Sequence, residues 1–450
     1  MKKAVFLLLV VFASVYSWGQ DITGEWNGVL KVQGMQLKLV FHISQTETGY
    51  GATMDSPDQG VKGLPVTSVT FDNPVLKLSV AGARIEYEGK MGDDGVITGT
   101  FKQHGASFPL DLSRGKAEKE ALVRPQEPVK PYPYYEEEVS FENSEDNVTL
   151  AGTLTLPEKE GNFPAIVLIS GSGAQNRDEE IMGHKPFLVL SDFLTRNGVA
   201  VLRFDDRGIA ASTGNAMTST TFDFSKDVEA GVKYLQTRKE INRKQIGLAG
   251  HSEGGIIASM LAARNSDIAF IILLAGTGIP GDQLLLMQQE LIAKASGISD
   301  SEWQKVKPVN RAAFDIIIRS TNQEQLNTDM TEYLKQTIKD NPNMKPEGIS
   351  EDDFIRQSIV LMANPWMKYF LGYDPVPALE KVKCPVLAIN GGKDLQVPAK
   401  VNLEAIKAAL TRGGNKQVTT KEIPGLNHLF QECETGLPVE YPTIEQTFSP

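Results

Sequence analysis

A serine lies between two glycines at residues 250–254, where the sequence reads Gly-His-Ser-Glu-Gly. Apolar residues before this segment, at 245–249, and after it, at 256–263, predict a strand followed by a helix. A strand that passes directly into a helix at the serine must turn sharply. Side chains two positions before and two positions after the serine would collide in such a turn, and glycine avoids the collision. The pattern predicts that Ser252 is exposed above the end of a strand, where a serine nucleophile would lie.

A serine hydroxyl needs a general base, and the base needs a carboxylate that orients it. In this strand-turn-helix context the expected chain order is serine, acid, histidine. Four of the five histidines precede or adjoin Ser252, which leaves His428 as the base. Asp394 directly follows a strand predicted at 386–389 and is the expected acid. Asp374 precedes that strand and is better interpreted as a turn residue.

Two backbone N–H groups would have to stabilise the oxyanion that such a serine generates. Glu253 is expected to supply one, because it begins the helix after the nucleophile, where the helix dipole favours negative charge. The loop after the strand at 165–170 is rich in glycine, and we expect Ser172 to supply the other, with Gly173 as the alternative. A plain glycine-rich turn is the competing interpretation. The loop lacks the ending of a phosphate-binding loop.

The elements that would position these residues alternate between short apolar strands and helices from residue 165 onward. Such strands predict a mostly parallel, doubly wound α/β sheet covered on both faces. Helix-prone sequence at 278–372 interrupts the alternation and predicts a helical cap over the site. Strands are expected at 165–170, 199–204, 246–249, 268–274, 385–390 and 417–423, and helices at 187–197, 222–237, 256–263 and 399–410.

Four aromatic residues of the predicted cap, Trp366, Tyr369, Phe370 and Tyr373, have the spacing of one helical face. We consider them candidates for substrate contact, with packing between cap and sheet as the alternative. The segment 203–208, Arg-Phe-Asp-Asp-Arg-Gly, predicts a buried charge cluster that shapes the loop after a strand.

Residues 21–113 differ from this α/β pattern, because short runs of alternating apolar residues are separated by Gly, Asn and Asp. They predict a small antiparallel β-domain. The segment 24–28, Gly-Glu-Trp-Asn-Gly, resembles the opening of lipocalin-like barrels, so a ligand-binding barrel stands as the alternative to an accessory domain. Residues 114–135 contain four closely spaced prolines and predict a semi-extended linker to a domain at 136–450.

The N-terminal residues 1–19 have the features of a secretory signal peptide. Two lysines precede an apolar run at 4–13, and small residues Ser17 and Gly19 precede Gln20. We therefore expect a secreted or periplasmic protein without a membrane anchor. Only two cysteines are present, Cys384 and Cys433, which excludes a disulfide framework, and we expect them to be unpaired.

The composition restricts the function further. Hydrophobic residues make up 41% and charged residues 22%, which is typical of a globular protein. The 45 Lys and Arg against 56 Asp and Glu give a net charge of −11, which disfavours nucleic acid and anionic membranes as partners. The histidines and cysteines show no metal-ligand spacing, so neither a metal nor another cofactor is expected.

The chain from about 136 to 450 resembles secreted bacterial α/β-hydrolases of the serine-aminopeptidase-like esterase group. The resemblance implies an α/β-hydrolase fold with a cap, no metal, and Ser252, Asp394 and His428 as nucleophile, acid and base. The matching segments are 170–173, 176–179, 203–208, 250–254, 373–375 and the surroundings of residues 394 and 428.

The sequence thus predicts a serine hydrolase that cleaves small-molecule carboxylic esters of small acyl groups through an acyl-enzyme. A peptidase, an aminopeptidase-like amidase or a thioesterase would use the same residues. The segment 21–113 is too short for the β-propeller that peptidases of this kind often carry, which favours esters. A degenerate hydrolase that only binds a ligand is a third possibility, although all three residues of the predicted triad are present.

Overall fold

A computed structural model describes residues 21–32, 35–59, 61–103, 106–117, 123–345 and 349–450. The signal peptide predicted at 1–19 lies outside these residues. The described residues form two compact units, which divide after residue 120. Within the described ranges, none of the helices has the length and apolar character needed to cross a bilayer.

The first unit consists of antiparallel strands, as the alternating pattern predicts. Along the strand Ile85–Met91, for example, buried and exposed residues alternate strictly, because one face of the sheet covers the core. One sheet contains β1 (Gly24–Val32), β2 (Met35–Thr46), β3 (Gly49–Ser56) and β4 (Val61–Val66), and the other contains β5 (Ser68–Asp72), β6 (Val75–Val80), β7 (Ile85–Met91), β8 (Ile97–Gln103) and β9 (Ala106–Leu112).

The two sheets of this unit enclose a single core. Asn27 and Ser113 exchange two backbone hydrogen bonds, of 2.7 and 2.9 Å, which join the outer strands of the two sheets. Trp26, Phe41 and Tyr87 are buried between the sheets. These large side chains provide the apolar burial that stabilises so small a domain.

The second unit is built on an eight-stranded sheet. The strands are β10 (Tyr135–Asn143), β11 (Val148–Leu156), β12 (Phe163–Ile169), β13 (Ala200–Phe204), β14 (Ile241–His251), β15 (Ile271–Leu274), β16 (Val386–Gly391) and β17 (Val418–Ile423), in the spatial order β10-β11-β13-β12-β14-β15-β16-β17. From β13 to β17 neighbouring strands are parallel, and β10 and β11 form an antiparallel edge. The mostly parallel sheet predicted from the sequence is confirmed.

The strand order reverses between β12 and β14, since the chain leaves β12 toward β13 on one side and later returns to β14 on the other. In open α/β sheets, ligands bind outside the carboxyl ends of the strands at such a switch point. The predicted nucleophile follows β14 and the predicted oxyanion loop follows β12, so both lie at this point.

Helices cover both faces of the sheet, and a further group forms the cap. The sheet-covering helices are α1 (Pro186–Arg196), α2 (Thr221–Thr237), α3 (Glu253–Arg264), α9 (Val376–Leu379) and α10 (Ala399–Arg412). The cap helices, between β15 and β16, are α4 (Gly281–Ala295), α5 (Asp300–Arg319), α6 (Gln323–Asp340), α7 (Glu351–Met362) and α8 (Pro365–Gly372). The cap has its own core, in which Phe314, Ile317 and Met330 are buried.

The second half of the predicted linker is bonded to the second unit. Arg124 donates to the carbonyl oxygens of Gly183 and Ile444, at 3.1 and 2.9 Å. The side-chain oxygen of Gln126 accepts hydrogen bonds from the backbone N–H groups of Thr447 and Phe448, at 2.7 and 3.0 Å. This part of the chain holds the C-terminal segment in place.

Candidate active site

Ser252 connects β14 directly to α3 through a strained backbone, with φ 53° and ψ −116°. Its N–H donates to the carbonyl oxygen of Leu274, 2.8 Å away on the neighbouring strand. A Cβ atom at Gly250 would lie 2.0 Å from the carbonyl oxygen of Gly254, and one at Gly254 would lie 2.2 Å from that of Ile169. Only glycine fits these two positions, which is the physical basis of the motif.

The side chains of His428 and Asp394 form a buried hydrogen-bonded pair after β17 and β16. His428 Nδ1 lies 2.8 Å from Asp394 Oδ2. Asp394 Oδ1 accepts hydrogen bonds from the backbone N–H groups of Gln396 and Val397, both at 2.8 Å. One carboxylate oxygen is therefore held by the backbone while the other faces the imidazole, which fixes the orientation of the ring.

Ser252 and His428 line the same cavity. Among the described residues, Ser252 Oγ makes no hydrogen bond, and contacts of this kind often tighten only when substrate binds. The structure thus brings all three residues of the predicted triad to one edge of the sheet.

The predicted oxyanion donors lie around the same edge. Within the part of the chain that the structure describes, the backbone N–H groups of Ser172, Gly173 and Glu253 have no hydrogen-bond partner. Ser172 lines the cavity together with Ser252. Gly173, with φ 104°, instead lines smaller cavities beside it. Glu253 lines the smaller of these cavities as Gly173 does, so Ser172 is the predicted donor that borders the cavity of Ser252 directly.

The side chain of Glu253 has a separate role that the sequence did not indicate. Its Oε1 accepts hydrogen bonds from Thr221 Oγ1 at 2.6 Å and from the indole N–H of Trp366 at 2.8 Å. Burial raises the pKa of this carboxyl above its usual range, although both hydrogen bonds act in the opposite direction. Glu253 thereby links the nucleophile helix α3 to α2 and to the cap helix α8.

The cavity beside Ser252 has a volume of about 500 Å³, within the usual range for small-molecule sites. Part of its wall is apolar and comes from the cap, where Leu284 and Phe370 pack in one cluster with Val397. Another part is polar but uncharged. There, Gln396 accepts from Gln288 Nε2 at 3.4 Å and donates to the hydroxyl of Tyr441 at 3.1 Å.

The four aromatic residues proposed as substrate contacts separate into two pairs. Trp366 and Phe370 line the cavity, with ring centroids 5.1 Å apart. Tyr369 and Tyr373 do not line it and stack on each other at 5.9 Å. Because α8 ends at Gly372, Tyr373 lies beyond the helix rather than on its face.

The charge cluster predicted at 203–208 is present, and Arg203, Asp205, Asp206 and Arg207 are buried. Asp206 accepts a hydrogen bond from Ser170 Oγ at 3.0 Å and another from the backbone N–H of Gln175 at 2.9 Å. Its carboxyl therefore joins the two ends of the segment that carries Ser172. Burial raises the pKa of Asp206 to about 8.

A second histidine, His251, lies next to the nucleophile and was not singled out by the sequence. Its Nδ1 lies 2.9 Å from Glu179 Oε1, and its Nε2 lies 2.9 Å from the carbonyl oxygen of His428. The same Glu179 oxygen accepts from the N–H of Gly171 at 2.7 Å. Glu179 lies 72 residues away in the chain and has φ 50°, so nothing in the local sequence indicated the pair.

Other side chains that could hold a metal or undergo redox chemistry give no comparable arrangement. Within the described ranges, no group of three or more His, Cys, Asp or Glu side chains is arranged to hold a metal ion. Cys384 and Cys433 are both free and partly buried.

The order of the sheet, the serine at its switch point and the helical insertion after β15 define an α/β-hydrolase fold. Comparison with known proteins agrees, because residues 186–349 match the family described as serine aminopeptidase, S33. The resemblance to the serine-aminopeptidase-like group of α/β-hydrolases is thus confirmed.

Among curated proteins, the chain is similar to the esterase EstD of Thermotoga maritima, with 26% identity over 314 residues. The match covers 69% of this chain and 65% of that relative. Among solved structures, it is similar to the esterase Pf2001 of Pyrococcus furiosus, with 18% identity, a TM-score of 0.39 and coverage of 65% and 82%. The hypothetical protein PA2218 of Pseudomonas aeruginosa has 15% identity, a TM-score of 0.44 and coverage of 72% and 96%.

Proposed function

We propose that this protein is a serine hydrolase that cleaves neutral carboxylic esters of small acyl groups through a Ser252–His428–Asp394 triad. The observation that carries the proposal is the cavity lined by Ser252 and His428, with Asp394 hydrogen-bonded to the far side of the imidazole. Similarity to an esterase supports the choice of ester as substrate.

In the proposed reaction, Ser252 Oγ attacks the ester carbonyl carbon while His428 Nε2 accepts the hydroxyl proton. The carbonyl oxygen becomes an oxyanion, and the N–H groups of Glu253 and Ser172 stabilise it. Collapse of this intermediate breaks the ester C–O bond, and the imidazolium gives its proton to the departing alcohol. A water molecule then attacks the acyl-enzyme with His428 as base, which releases the acid and restores Ser252.

The matched family name makes amide hydrolysis the second candidate. An aminopeptidase has to neutralise the ammonium group of its substrate, and an acidic side chain in the pocket would do so. Among the described residues of the cavity wall, the only carboxylate is Glu179, which is already bonded to His251 and Gly171. The wall therefore suits an uncharged ester better than an aminoacyl amide.

Replacing Ser252 by alanine tests the nucleophile. We expect Ser252→Ala to lower the turnover of p-nitrophenyl acetate by up to about 10⁶-fold, the value of a triad serine in subtilisin. Ser301→Ala, an exposed serine of α5, is the matched control and should retain full turnover. A fluorophosphonate should label the intact protein stoichiometrically and the Ser252 variant not at all. Unchanged turnover in the variant would remove Ser252 from the mechanism.

The same assay ranks the competing functions. Faster cleavage of a fluorogenic aminoacyl amide than of the matched acetate ester would favour the amidase. Absence of both turnover and labelling in folded protein would favour a degenerate, ligand-binding protein.

We also propose that residues 1–19 form a cleavable signal peptide that directs the protein to the periplasm or the medium. The basis is the order of two lysines, an apolar run and small residues before Gln20. N-terminal sequencing of the exported protein should begin at Gln20. An intact N-terminal methionine on protein recovered from the cytoplasm would contradict this proposal.

A further inference from the structure

The two ring nitrogens of His251 both face hydrogen-bond acceptors. Nδ1 lies 2.9 Å from a carboxylate oxygen of Glu179, and Nε2 lies 2.9 Å from the backbone carbonyl oxygen of His428. A backbone carbonyl can only accept, so Nε2 must carry a hydrogen. The Glu179 oxygen that faces Nδ1 also accepts from the N–H of Gly171, and a carboxylate that accepts from both neighbours places a hydrogen on Nδ1 as well. The geometry thus calls for a doubly protonated ring.

This ring and its carboxylate partner are buried, although both residues border the cavity beside Ser252. Glu179 and His251 are 1% and 5% exposed, so little of either side chain is open to solvent. An isolated buried imidazolium would be costly, but a carboxylate at hydrogen-bond distance compensates its charge. The arrangement is that of a buried ion pair.

The pair contacts three chain segments that carry the proposed chemistry. We call residues 170–185, which include Ser172, the oxyanion loop. Within it, Glu179 accepts a hydrogen bond from the N–H of Gly171. His251 directly precedes Ser252 and bonds the carbonyl of His428, in the base loop (residues 424–433). These three segments are far apart in the chain, and the pair joins them beside the nucleophile.

Other charged groups around His251 act in the same direction. The ring of His428 lies 4.7 Å from that of His251 between centroids, and Asp394 lies behind it. Burial alone would lower the pKa of His251, but the charge and hydrogen bond of Glu179, the carbonyl of His428 and the more distant charge of Asp394 raise it overall. The uncharged ring of Phe430 packs on the remaining side, 6.4 Å away.

We propose that Glu179 and His251 form a buried carboxylate–imidazolium pair that positions the oxyanion loop and the base loop around Ser252. The inference rests on the proposed serine-hydrolase function. Neither residue exchanges a proton with substrate, so both are positioning residues. If Nε2 of His251 carried no hydrogen, its lone pair and those of the His428 carbonyl oxygen would face each other. The base loop would then shift.

The protonation state can be measured directly in the wild-type protein. Nitrogen-15 NMR of histidine-labelled protein should show both nitrogens of His251 in the imidazolium form at pH 7 and into the mildly alkaline range, although an ordinary histidine is mostly neutral above its pKa of about 6.5. His184, whose pKa is lowered by burial, is an internal contrast that should be neutral over this range. Substitution of single histidines assigns the signals. A neutral His251 at pH 7 would overturn the proposal without affecting the triad.

Kinetics of Glu179→Gln test the positioning role, because glutamine preserves shape and removes the charge. We expect kcat to fall by about 10²-fold, because a small misplacement of the reacting groups has an effect of this size. KM should be nearly unchanged. In this variant the Glu179 charge that opposes burial is removed, so the pKa of His251 should fall below its wild-type value. The ring would regain its second N–H at low pH, so the ratio of variant to wild-type kcat should rise as pH falls from about 8.5 to about 5.5.

A matched control substitutes a glutamate outside the loops around Ser252. Glu160 is exposed, and Glu160→Gln should leave kcat and its pH profile unchanged. If the ratio of Glu179→Gln kcat to wild-type kcat were the same at every pH, the charge of the pair would have no part in positioning the loops. That result would contradict the inference. Absence of esterase activity in the wild-type protein, by contrast, would refute the proposed function. The two failures are therefore distinguishable.

Discussion

Asp206 shows how single buried groups shape this site. Its carboxyl accepts hydrogen bonds from Ser170 and Gln175 on either side of Ser172, and it lines a narrow cavity together with Glu253. Burial is the largest influence on it, and the nearby Glu253 and Glu179 also disfavour its ionisation. The carboxyl of Asp206 is therefore protonated in the folded protein at neutral pH.

Because Asp206 is protonated in the folded protein, the free energy of unfolding should depend on pH. The pKa of Asp206 rises from 3.8 to about 8 on folding. Between these pH values the unfolded chain binds fewer protons than the folded chain, so the free energy of unfolding falls as pH rises, by at most about 1.4 kcal/mol per pH unit. Asp206→Asn keeps the shape and removes the titration. Its unfolding free energy relative to wild type should therefore increase from pH 5 to pH 7, as measured by urea denaturation.

The exposed carboxylate of Asp267 provides the control for this experiment. Asp267→Asn should give a difference from wild type that does not change over the same pH range. An Asp206→Asn difference that is equally constant would show that this carboxyl is ionised in the folded protein.

The predicted triad and the hidden positioning pair differ in how much their local sequence reveals. Ser252 could be found because steric contact forces glycine on both sides, and His428 because it was the one histidine in the required chain order. Glu179 offered no such signal. Its partner His251 is distant in the chain, and their contact depends on a backbone with positive φ that propensity does not predict.

At the scale of elements, the buried strands were predictable because both of their faces are covered, which requires continuous apolar runs. The helix expected at 399–410 is α10 (Ala399–Arg412), and the cap expected at 278–372 contains α4 to α8. The antiparallel edge strands β10 and β11 were not predicted. Polar exposed residues interrupt the apolar pattern along β10, and β11 contains the buried threonines Thr153 and Thr155. The contacts of Arg124 with the C-terminal segment are side chain to backbone and leave no periodicity.

Helix α8 presents one side chain that separates two cavities. Trp366 lines the cavity of about 500 Å³ beside Ser252 and also a second cavity of about 170 Å³. The second cavity is mostly apolar and is bordered by Ala174, Met217 and Phe224. The indole is fixed between them by its hydrogen bond to Glu253 and its stacking on Phe370.

We expect Trp366→Ala to join the two cavities and to favour longer acyl chains. Additional methylene groups could then be buried, so the kcat/KM ratio of hexanoyl to acetyl p-nitrophenyl ester should rise roughly tenfold. Trp366→Phe is the control, because it retains a ring between the cavities and removes only the N–H that Glu253 accepts. If both variants changed the ratio equally, the hydrogen bond rather than the separation of the cavities would determine acyl preference.

At the scale of the whole molecule, the chain divides its tasks between two units that each have a core of their own. The core of the first unit, around Trp26 and Tyr87, belongs to residues 1–120, and the main core beneath the eight-stranded sheet belongs to residues 121–450. All residues of the proposed triad and both loops around them lie in the second unit.

Removing residues 21–113 is accordingly expected to leave the chemical step intact. The deletion variant should hydrolyse p-nitrophenyl acetate with a kcat within about a factor of three of the intact protein, since no group that contacts the reacting atoms is lost. The intact protein should also prefer acetyl and butyryl esters to dodecanoyl esters, because a cavity of about 500 Å³ has to hold the acyl and alcohol parts together. Turnover of acetyl and dodecanoyl esters by both proteins tests the two expectations. Circular dichroism verifies that the deletion variant is folded. A folded variant without acetyl-ester turnover would show that the β-domain completes the site. Equal turnover of acetyl and dodecanoyl esters by the intact protein would refute the restricted pocket.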